Sequence, residues 1–308
     1  MYSSGYAGER RHWFGGIRQP QRSLSIYGLV LPTFSGTPRF TKIVFPRHRP
    51  GEVIINKNAE IHPSAELGSD VRVGPFTSIG SDVRIGDRTE IGPNVHIESG
   101  TVIGADCRIF HGASIGSDPQ VVGVRDTPSS VEIGDGTTVR EFVTIHRSAS
   151  ENKKTVVGRE CLLMDYVHVA HDCVIGNEVV IVNGTQLSGH VIVEERAFIS
   201  GMVGVHQFVR FGKLSMTGGM SRIVQDILPF CTVEGNPARL IGTNAVGLKR
   251  AGLAPAVRAG LKKAVRFLMQ DDLNTTQSIE KIDGEIEMSN EIRYLIDFIN
   301  DSDRGIVK

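Results

Sequence analysis

The sequence has few of the residues that build disulfide frameworks, zinc knuckles or redox sites. Its 308 residues include four cysteines and no C-x-x-C pair, which predicts a reducing compartment. Lys and Arg number 34 and Asp and Glu also number 34, so nothing in the net charge points to nucleic acid as a partner. No apolar run is long enough for a membrane span. The phosphate-loop motif is absent, which disfavours nucleotide hydrolysis.

The sequence does contain an aliphatic residue at every sixth position through residues 61–115. A helix needs a period near 3.6 and a plain strand a period of 2, so neither fits. A period of six is typical of a β-helix, in which short strands are joined by tight corners. The residue two before each aliphatic is small or β-branched and is predicted to point inward with it. Cys107, Cys161 and Cys173 occupy this small position and are predicted to be buried.

The same register resumes after two interruptions and runs to Thr217. Residues 117–130 and 147–155 are therefore predicted to be loops that leave the coil and rejoin it. Such insertions usually map to one face of a solenoid, often the binding face. If three six-residue strands complete one coil, residues 18 apart stack with a spacing of about 4.8 Å. We predict an all-β parallel β-helix over residues 51–240.

A change to helical periodicity predicts a small α-helical C-terminal domain over residues 241–308. Two apolar stripes at helical spacing support it: Val257, Leu261, Val265 and Leu268, then Ile292, Leu295, Ile296 and Ile299. A basic stripe lies beside the first of them, formed by Arg258, Lys262 and Arg266. Taken alone, such a stripe is typical of a solvated helix face.

Residues 1–50 hold eight Lys or Arg residues and one acid, Glu9. An Arg-rich, acid-poor N-terminus resembles an organelle transit peptide, and a mitochondrial one is predicted. The alternatives are a disordered basic arm and a cytoplasmic protein.

Five of the ten histidines fall between residues 146 and 206, all outside the inward positions: His146, His168, His171, His190 and His206. The 18-residue stacking puts His171, Gly189 and Gln207 in one column, with His190 and His206 beside it. Such a cluster is either a metal site of neutral imidazoles or a general base with neighbours that bind a polar substrate. Asp172 follows His171 and would fix its tautomer if the corner lets the carboxylate fold back.

Three sequence blocks resemble the signatures of UDP-N-acetylglucosamine O-acyltransferases, which carry out the first acylation of lipid A biosynthesis. They are Val167–Cys173, Leu187–His190 and Val205–Phe208. The similarity extends through Thr144–Arg147, Glu234–Asn236 and Gly247–Arg250, and it covers about residues 53–308. The basic arm is an addition to the family pattern and suggests a plant organellar copy.

The resemblance implies a left-handed parallel β-helix that assembles as a homotrimer with active sites between subunits. It also implies transfer of an (R)-3-hydroxyacyl chain from acyl carrier protein to the 3-hydroxyl of UDP-N-acetylglucosamine, without metal or cofactor. His171 matches the general base, Asp172 its partner, and the N–H of Gly189 the oxyanion donor. The implied substrate contacts are His146, His168, His190, His206, Gln207, Gln120, Asn244 and Arg250.

Gly219 falls where the family's acyl-length ruler lies, and glycine there predicts a long acyl chain. The basic stripe is predicted to steer the acidic carrier protein. The chain departs from the family pattern at Val121, Gly123 and Val246, where the family has charged residues. Three other interpretations remain: a γ-type carbonic anhydrase that binds zinc, an N-acyltransferase of the same pathway, and a non-catalytic scaffold.

Overall fold

A computed structural model describes residues 51–124 and 127–308. The transit-like arm predicted at residues 1–50 lies outside the described residues. Within them, short strands wind into a parallel β-helix whose coils each give one strand to each of three sheets. The strands are numbered in chain order.

Sheet I contains β1 (Ile54–Ile55), β4 (Arg72–Val73), β7 (Glu90–Ile91), β10 (Arg108–Ile109), β13 (Thr138–Val139), β16 (Leu162–Leu163), β19 (Val180–Ile181), β22 (Phe198–Ile199), β25 (Met216–Thr217), β27 (Cys231–Gly235) and β28 (Ala238–Thr243). Sheet II contains β2 (Glu60–Ile61), β5 (Ser78–Ile79), β8 (His96–Ile97), β11 (Ser114–Ser117), β14 (Thr144–His146), β17 (His168–Val169), β20 (Gln186–Leu187), β23 (Gly204–Val205) and β26 (Arg222–Ile223). Sheet III contains β3 (Glu66–Leu67), β6 (Arg84–Ile85), β9 (Val102–Ile103), β12 (Ser130–Ile133), β15 (Lys154–Val157), β18 (Val174–Ile175), β21 (Ile192–Val193) and β24 (Arg210–Phe211).

The register of the strands confirms the stacking inferred from the repeat. Val169 of β17 pairs with Leu187 of β20, and Leu187 pairs with Val205 of β23. Glycine follows many of these aliphatic residues because adjacent coils approach closely there. A Cβ on Gly86 would lie 2.5 Å from the backbone nitrogen of Ala105 in the next coil.

The aliphatic residues of the repeat fill the interior of the coil, where nearly all are buried. The small inward position holds Thr or Cys in several coils. Thr185 Oγ1 donates to the Ser200 carbonyl at 2.7 Å, and Cys173 Sγ lies 3.2 Å from the Ser188 carbonyl. Cys107, Cys161 and Cys173 are buried as predicted, and Cys231 is buried with them.

Both predicted insertions leave the coil at the corner that follows sheet II and precedes sheet III, called here the II–III corner. The strands extend slightly into the predicted loops, because β11 continues to Ser117 and β12 starts at Ser130. The loops themselves are residues 118–129, between β11 and β12, and residues 147–153, between β14 and β15.

The coil ends in a hairpin in which β28 pairs antiparallel with β27. The predicted domain boundary at residue 240 falls inside β28, which ends at Thr243. Four helices follow: α1 (Ala245–Arg250), α2 (Pro255–Leu268), α3 (Thr275–Glu285) and α4 (Asn290–Asn300). Among the described residues, no helix has the length and apolar character needed to cross a membrane.

The helices bury the predicted apolar stripes and pack onto the last coils. Leu261 and Val265 of α2 are buried, as are Leu295 and Ile299 of α4. Polar contacts fasten α4 to the coil. Tyr294 Oη donates to a carboxylate oxygen of Glu194. The guanidinium of Arg210 lies 4.1 Å from the centre of the Phe298 ring.

Candidate active site

All eight histidines of the described residues lie on sheet II or at its two corners. They are His62, His96, His111, His146, His168, His171, His190 and His206. Because histidine is the side chain that most often accepts or donates a proton near neutral pH, sheet II is the candidate functional face.

His171 and Asp172 form a hydrogen-bonded pair at the II–III corner. Asp172 has a positive φ of 60°, a left-handed conformation that Asp adopts more readily than most residues. This conformation brings the carboxylate back onto its neighbour, and His171 Nδ1 lies 2.8 Å from Asp172 Oδ2. The Nδ1–H tautomer fits this contact and leaves Nε2 as the basic atom. The side chains are 15% and 8% exposed, respectively.

The Asp172 carboxylate accepts further hydrogen bonds from loop 147–153. Ser148 Oγ donates to Oδ1, and the N–H of Ala149 donates to Oδ2 at 3.1 Å. Burial raises the pKa of the Asp172 carboxyl, but the hydrogen bonds from Ser148, His171 and Ala149 outweigh burial, and its pKa lies below the usual value. The carboxylate is therefore ionised at neutral pH.

Gly189 lies directly against the imidazole of His171, as the column predicts. A Cβ at Gly189 would lie 2.5 Å from both Nε2 and Cε1 of that ring. The coils are joined at this point by two hydrogen bonds, from His190 N–H to the His171 carbonyl and from Phe208 N–H to the Gly189 carbonyl, both 3.1 Å. Among the backbone hydrogen bonds of the described residues, none involves the Gly189 N–H.

His190 completes a small cluster with the His171–Asp172 pair. Its ring meets the His171 ring edge-on with the centres 5.1 Å apart, and it stacks on Phe208 at 4.6 Å. One ligand atom from each of His171, Asp172 and His190 lies within 4.8 Å of the others. The three groups could therefore also hold a metal ion.

His146 and His168 form a second ring pair on sheet II, with centres 5.1 Å apart. His146 is buried although it is outside an inward position, because loop 118–129 begins above it. Its Nδ1–H donates to the Asp118 carbonyl. Burial, and next the neighbouring His146, lowers the pKa of His168 to about 4, and burial also lowers the pKa of His146. Both rings are neutral at pH 7.

The other predicted substrate contacts lie at the II–III corner of a later coil, in loop 118–129 and at the start of α1. His206 and Gln207 are exposed, and His206 Nδ1 lies 3.1 Å from the Gln207 carbonyl oxygen. Gln120 is exposed in loop 118–129. Asn244 caps α1, where its Oδ1 accepts from Gly247 N–H and its Nδ2 donates to the Leu214 carbonyl.

The chain does not bring Gly219 to the His171 cluster. Gly219 lies at the corner between sheets I and II (the I–II corner), and a Cβ there would lie 3.4 Å from the Gly201 carbonyl. Arg250 is exposed at the end of α1. On α2, Lys262 and Arg266 are exposed, while Arg258 is half-buried and donates from Nε to the Leu253 carbonyl at 3.1 Å.

The residues that hold the Asp172 carboxylate and its backbone in place were not predicted from the sequence. Besides Ser148 and Ala149, Thr155 Oγ1 accepts from the Asp172 N–H at 2.9 Å. Ser148 and Ala149 lie in a non-periodic loop, so the six-residue register does not place them. Thr155 stands 18 before Cys173 and could have been placed in that column.

Both the coil and the helical part of the chain are similar to known proteins. A model of domain 2 of UDP-N-acetylglucosamine O-acyltransferases matches residues 226–307, and a model of the bacterial transferase hexapeptide matches residues 82–117 and 154–189. An acyl-carrier-protein-dependent UDP-N-acetylglucosamine O-acyltransferase from Gloeothece citriformis is 47% identical over 186 residues, which are 60% of this chain and 66% of the relative. The corresponding Burkholderia mallei protein is 40% identical over 195 residues, which are 62% of this chain and 74% of the relative.

Solved structures extend the similarity over the coil and the helices together. A UDP-N-acetylglucosamine acyltransferase from Bacteroides fragilis superposes with a TM-score of 0.80 and 39% identity, over 83% of this chain and all of that chain. The Arabidopsis UDP-N-acetylglucosamine acyltransferase superposes with a TM-score of 0.71 and 30% identity, over 83% and 100% of the two chains. The protein belongs to the UDP-N-acetylglucosamine O-acyltransferase family.

Proposed function

We propose that this protein transfers an (R)-3-hydroxyacyl chain from acyl carrier protein to the 3-hydroxyl of UDP-N-acetylglucosamine, the first step of a lipid A-type pathway. The single observation that carries the proposal is the geometry at the II–III corner. A carboxylate holds Nδ1 of His171, and the Nε2 edge of the same ring lies against Gly189. The imidazole of His171, as the base, and the backbone of Gly189, as the hydrogen-bond donor, are therefore adjacent.

The reaction needs one proton acceptor and one oxyanion donor. Nε2 of His171 accepts the proton of the sugar hydroxyl while the hydroxyl oxygen attacks the thioester carbonyl carbon. The N–H of Gly189 donates to the oxyanion that develops on that carbonyl. When the tetrahedral intermediate collapses, the carbon–sulfur bond breaks, and His171 returns the proton to the thiolate of the carrier. Asp172 stabilises the imidazolium between the two transfers.

The neutral His146–His168 pair supports binding of an uncharged polar group. Thr144 Oγ1 lies 2.8 Å from His168 Nδ1 and holds that ring in place. Because the pKa of His168 is about 4, the pair adds no positive charge beside His171 at neutral pH. We assign His168 and His190 to the sugar hydroxyls, since the ring nitrogens of histidine form hydrogen bonds with hydroxyl groups.

We assign the docking site of the carrier protein to the basic face of α2, which is formed by Arg258, Lys262 and Arg266. Acyl carrier proteins are acidic, and a basic face increases their rate of encounter at low salt. Arg258 and Lys262 also line a cavity of about 270 Å³ together with Thr243, Leu248 and Pro255. This cavity lies at the junction of β28, α1 and α2.

We assign the protein to a homotrimer with each site between two subunits. Two observations support this. Gly219 and His171 lie at opposite edges of sheet II, so one chain does not bring them together. The I–II corner also exposes a column of large apolar side chains, which a second copy would cover. They are Phe76, Phe142, Tyr166, Met202 and Met220.

The transit-like composition of residues 1–50 leads us to assign the protein to an organelle matrix, with the mitochondrion first. Fusion of residues 1–60 to a fluorescent protein in plant cells tests this. Colocalisation with a mitochondrial marker supports the assignment, and diffuse cytoplasmic fluorescence contradicts it.

A second candidate, a γ-type carbonic anhydrase-like zinc hydrolyase, is favoured by the cluster of His171, Asp172 and His190. Catalytic zinc sites often bind the metal through neutral imidazoles and keep a water in an open position. A zinc ion on His171 Nδ1 would displace the proton shared with Asp172, so the two functions exclude each other at this site. The family membership favours acyl transfer to oxygen over zinc chemistry and over an N-acyltransferase.

The test is direct. The purified protein is incubated with UDP-N-acetylglucosamine and a panel of 3-hydroxyacyl carrier proteins, and the products are measured by mass spectrometry. Acylated nucleotide sugar that is also formed in the presence of a metal chelator supports the proposal. Absence of this product, together with stoichiometric zinc by elemental analysis and hydration of carbon dioxide, supports the second candidate.

A further inference from the structure

Ser148 is a fully buried serine that has no part in the chemistry proposed above. It lies in loop 147–153 and is 0% exposed. Its Oγ donates to Oδ1 of Asp172, while His171 Nδ1 and the Ala149 N–H share the other carboxylate oxygen. The carboxylate is thus held by the loop on one side and contacts the imidazole on the other.

The orientation of the Ser148 hydroxyl is set by its own loop. The N–H of Ser150 donates to Ser148 Oγ at 2.9 Å, so this oxygen already accepts one hydrogen bond and its proton is free to point to a second acceptor. Two acceptors are within reach, the Asp172 carboxylate and the Ser150 carbonyl at 3.2 Å. The carboxylate is the stronger acceptor because it is charged.

Loop 118–129 supports this arrangement from the preceding coil. Ser129 Oγ donates to the Ser148 carbonyl at 2.6 Å, and Asn152 N–H donates to the Pro128 carbonyl at 2.7 Å. A continuous series of hydrogen bonds therefore runs from Ser129 through Ser148 and Asp172 to His171. It gives a physical reason for both insertions to leave the coil at the same corner.

We propose that Ser148 is a positioning residue for the His171–Asp172 pair and that Ser129 holds it in place from the neighbouring loop. With Oδ1 held by Ser148, the carboxylate cannot rotate about its Cβ–Cγ bond, and Oδ2 stays directed at Nδ1. The imidazole proton then stays on Nδ1, and Nε2 stays free to act as a base. The expected change in kcat rests on the proposed acyl transfer, whereas the effect of Ser148 on the tautomer of His171 does not depend on that activity.

The kinetic test uses Ser148→Ala in the full chain. We expect kcat to fall about tenfold, which is about 1.4 kcal/mol in activation free energy. KM should stay unchanged, since a fully buried side chain does not touch substrate. Ser150→Ala is the matched control, because both contacts of Ser150 with Ser148 are made by main-chain atoms. It should leave kcat and KM unchanged.

A double-mutant cycle separates positioning from general destabilisation. If Ser148 acts through Asp172, adding Ser148→Ala to Asp172→Ala should change kcat by less than about twofold. A tenfold loss that persists in the Asp172→Ala background overturns the proposal, and so does an unchanged kcat in Ser148→Ala. If Ser148→Ala does not fold, Ser129→Ala provides the same test with a smaller fall in kcat.

The second measurement is independent of acyl transfer. Long-range ¹H–¹⁵N NMR of histidine-labelled protein reports which ring nitrogen of His171 carries the proton. The wild type should show the Nδ1–H tautomer, and Ser148→Ala should show a mixture of the two. An unchanged tautomer overturns the proposal. If the wild type transfers no acyl chain, the proposed function fails, and the tautomer measurement still decides the role of Ser148.

Discussion

Replacement of Gly189 by alanine is the most direct way to perturb the contact between the two coils at the site. The new Cβ would lie 2.5 Å from Nε2 and Cε1 of His171. Carbon atoms in contact are separated by about 3.5–4.0 Å, so the imidazole must move by about 1 Å or more. A displacement of that size in a reacting group costs about 100-fold in rate.

We therefore expect Gly189→Ala to lower kcat for acyl transfer about 100-fold, or about 2.7 kcal/mol in activation free energy. Gly204→Ala is the matched control, since nothing lies within 4 Å of a Cβ at Gly204 on the same sheet. Neither glycine has a positive φ, so alanine fits the backbone at both positions. Kinetics are measured by mass spectrometry, with thermal melting to confirm the fold. Wild-type kcat in Gly189→Ala would refute the packing of His171 against this glycine.

Three further predictions concern other parts of the molecule. Gly219→Met should shorten the acyl chain that is accepted from a panel of carrier proteins, and an unchanged chain-length profile would remove Gly219 from the acyl site. Charge reversal at Arg258 and Lys262 should raise KM for the acyl donor, more strongly at low salt. An unchanged KM at low salt would show that the basic stripe is an ordinary solvated helix face with no role in binding the carrier protein. Because the pKa of His168 is about 4 in the folded protein and 6.5 when unperturbed, the stability it contributes is present above pH 6.5 and is lost as the pH falls toward 4. His168→Asn should therefore lose about 2 kcal/mol less stability than the wild type between pH 7 and pH 4.5 in denaturant titrations, and equal losses would contradict the low pKa.

The periodic part of the fold could be predicted from the sequence because each six-residue unit repeats the same local conformation. The column of His171 and Gly189 followed from counting 18 residues, and in the structure Gly189 lies against that imidazole. Burial of Cys107 and Cys173 followed from the same register.

The features that were not predicted lie where the period stops. The positive φ of Asp172 recurs at every sixth residue, as at Tyr166 and Glu178, so the repeat does set that angle. The repeat does not set the direction of the carboxylate, which is held by Ser148 and Ala149 of loop 147–153. The burial of His146 and the contacts of Ser148 depend on how two non-periodic loops fold over the coil. Helix α3 has no long apolar stripe, so helical periodicity does not reveal it. Its start is marked instead by a capping box between Asn274 and Gln277.

The role of His171 as the general base is tested most directly by the acyl-transfer rate of His171→Ala. The assay contains UDP-N-acetylglucosamine, a 3-hydroxyacyl carrier protein and the full chain, and acylated nucleotide sugar is measured over time. We predict that kcat falls at least about 1,000-fold while the melting temperature stays close to that of the wild type. A folded His171→Ala variant that forms the product at the wild-type rate would contradict the account.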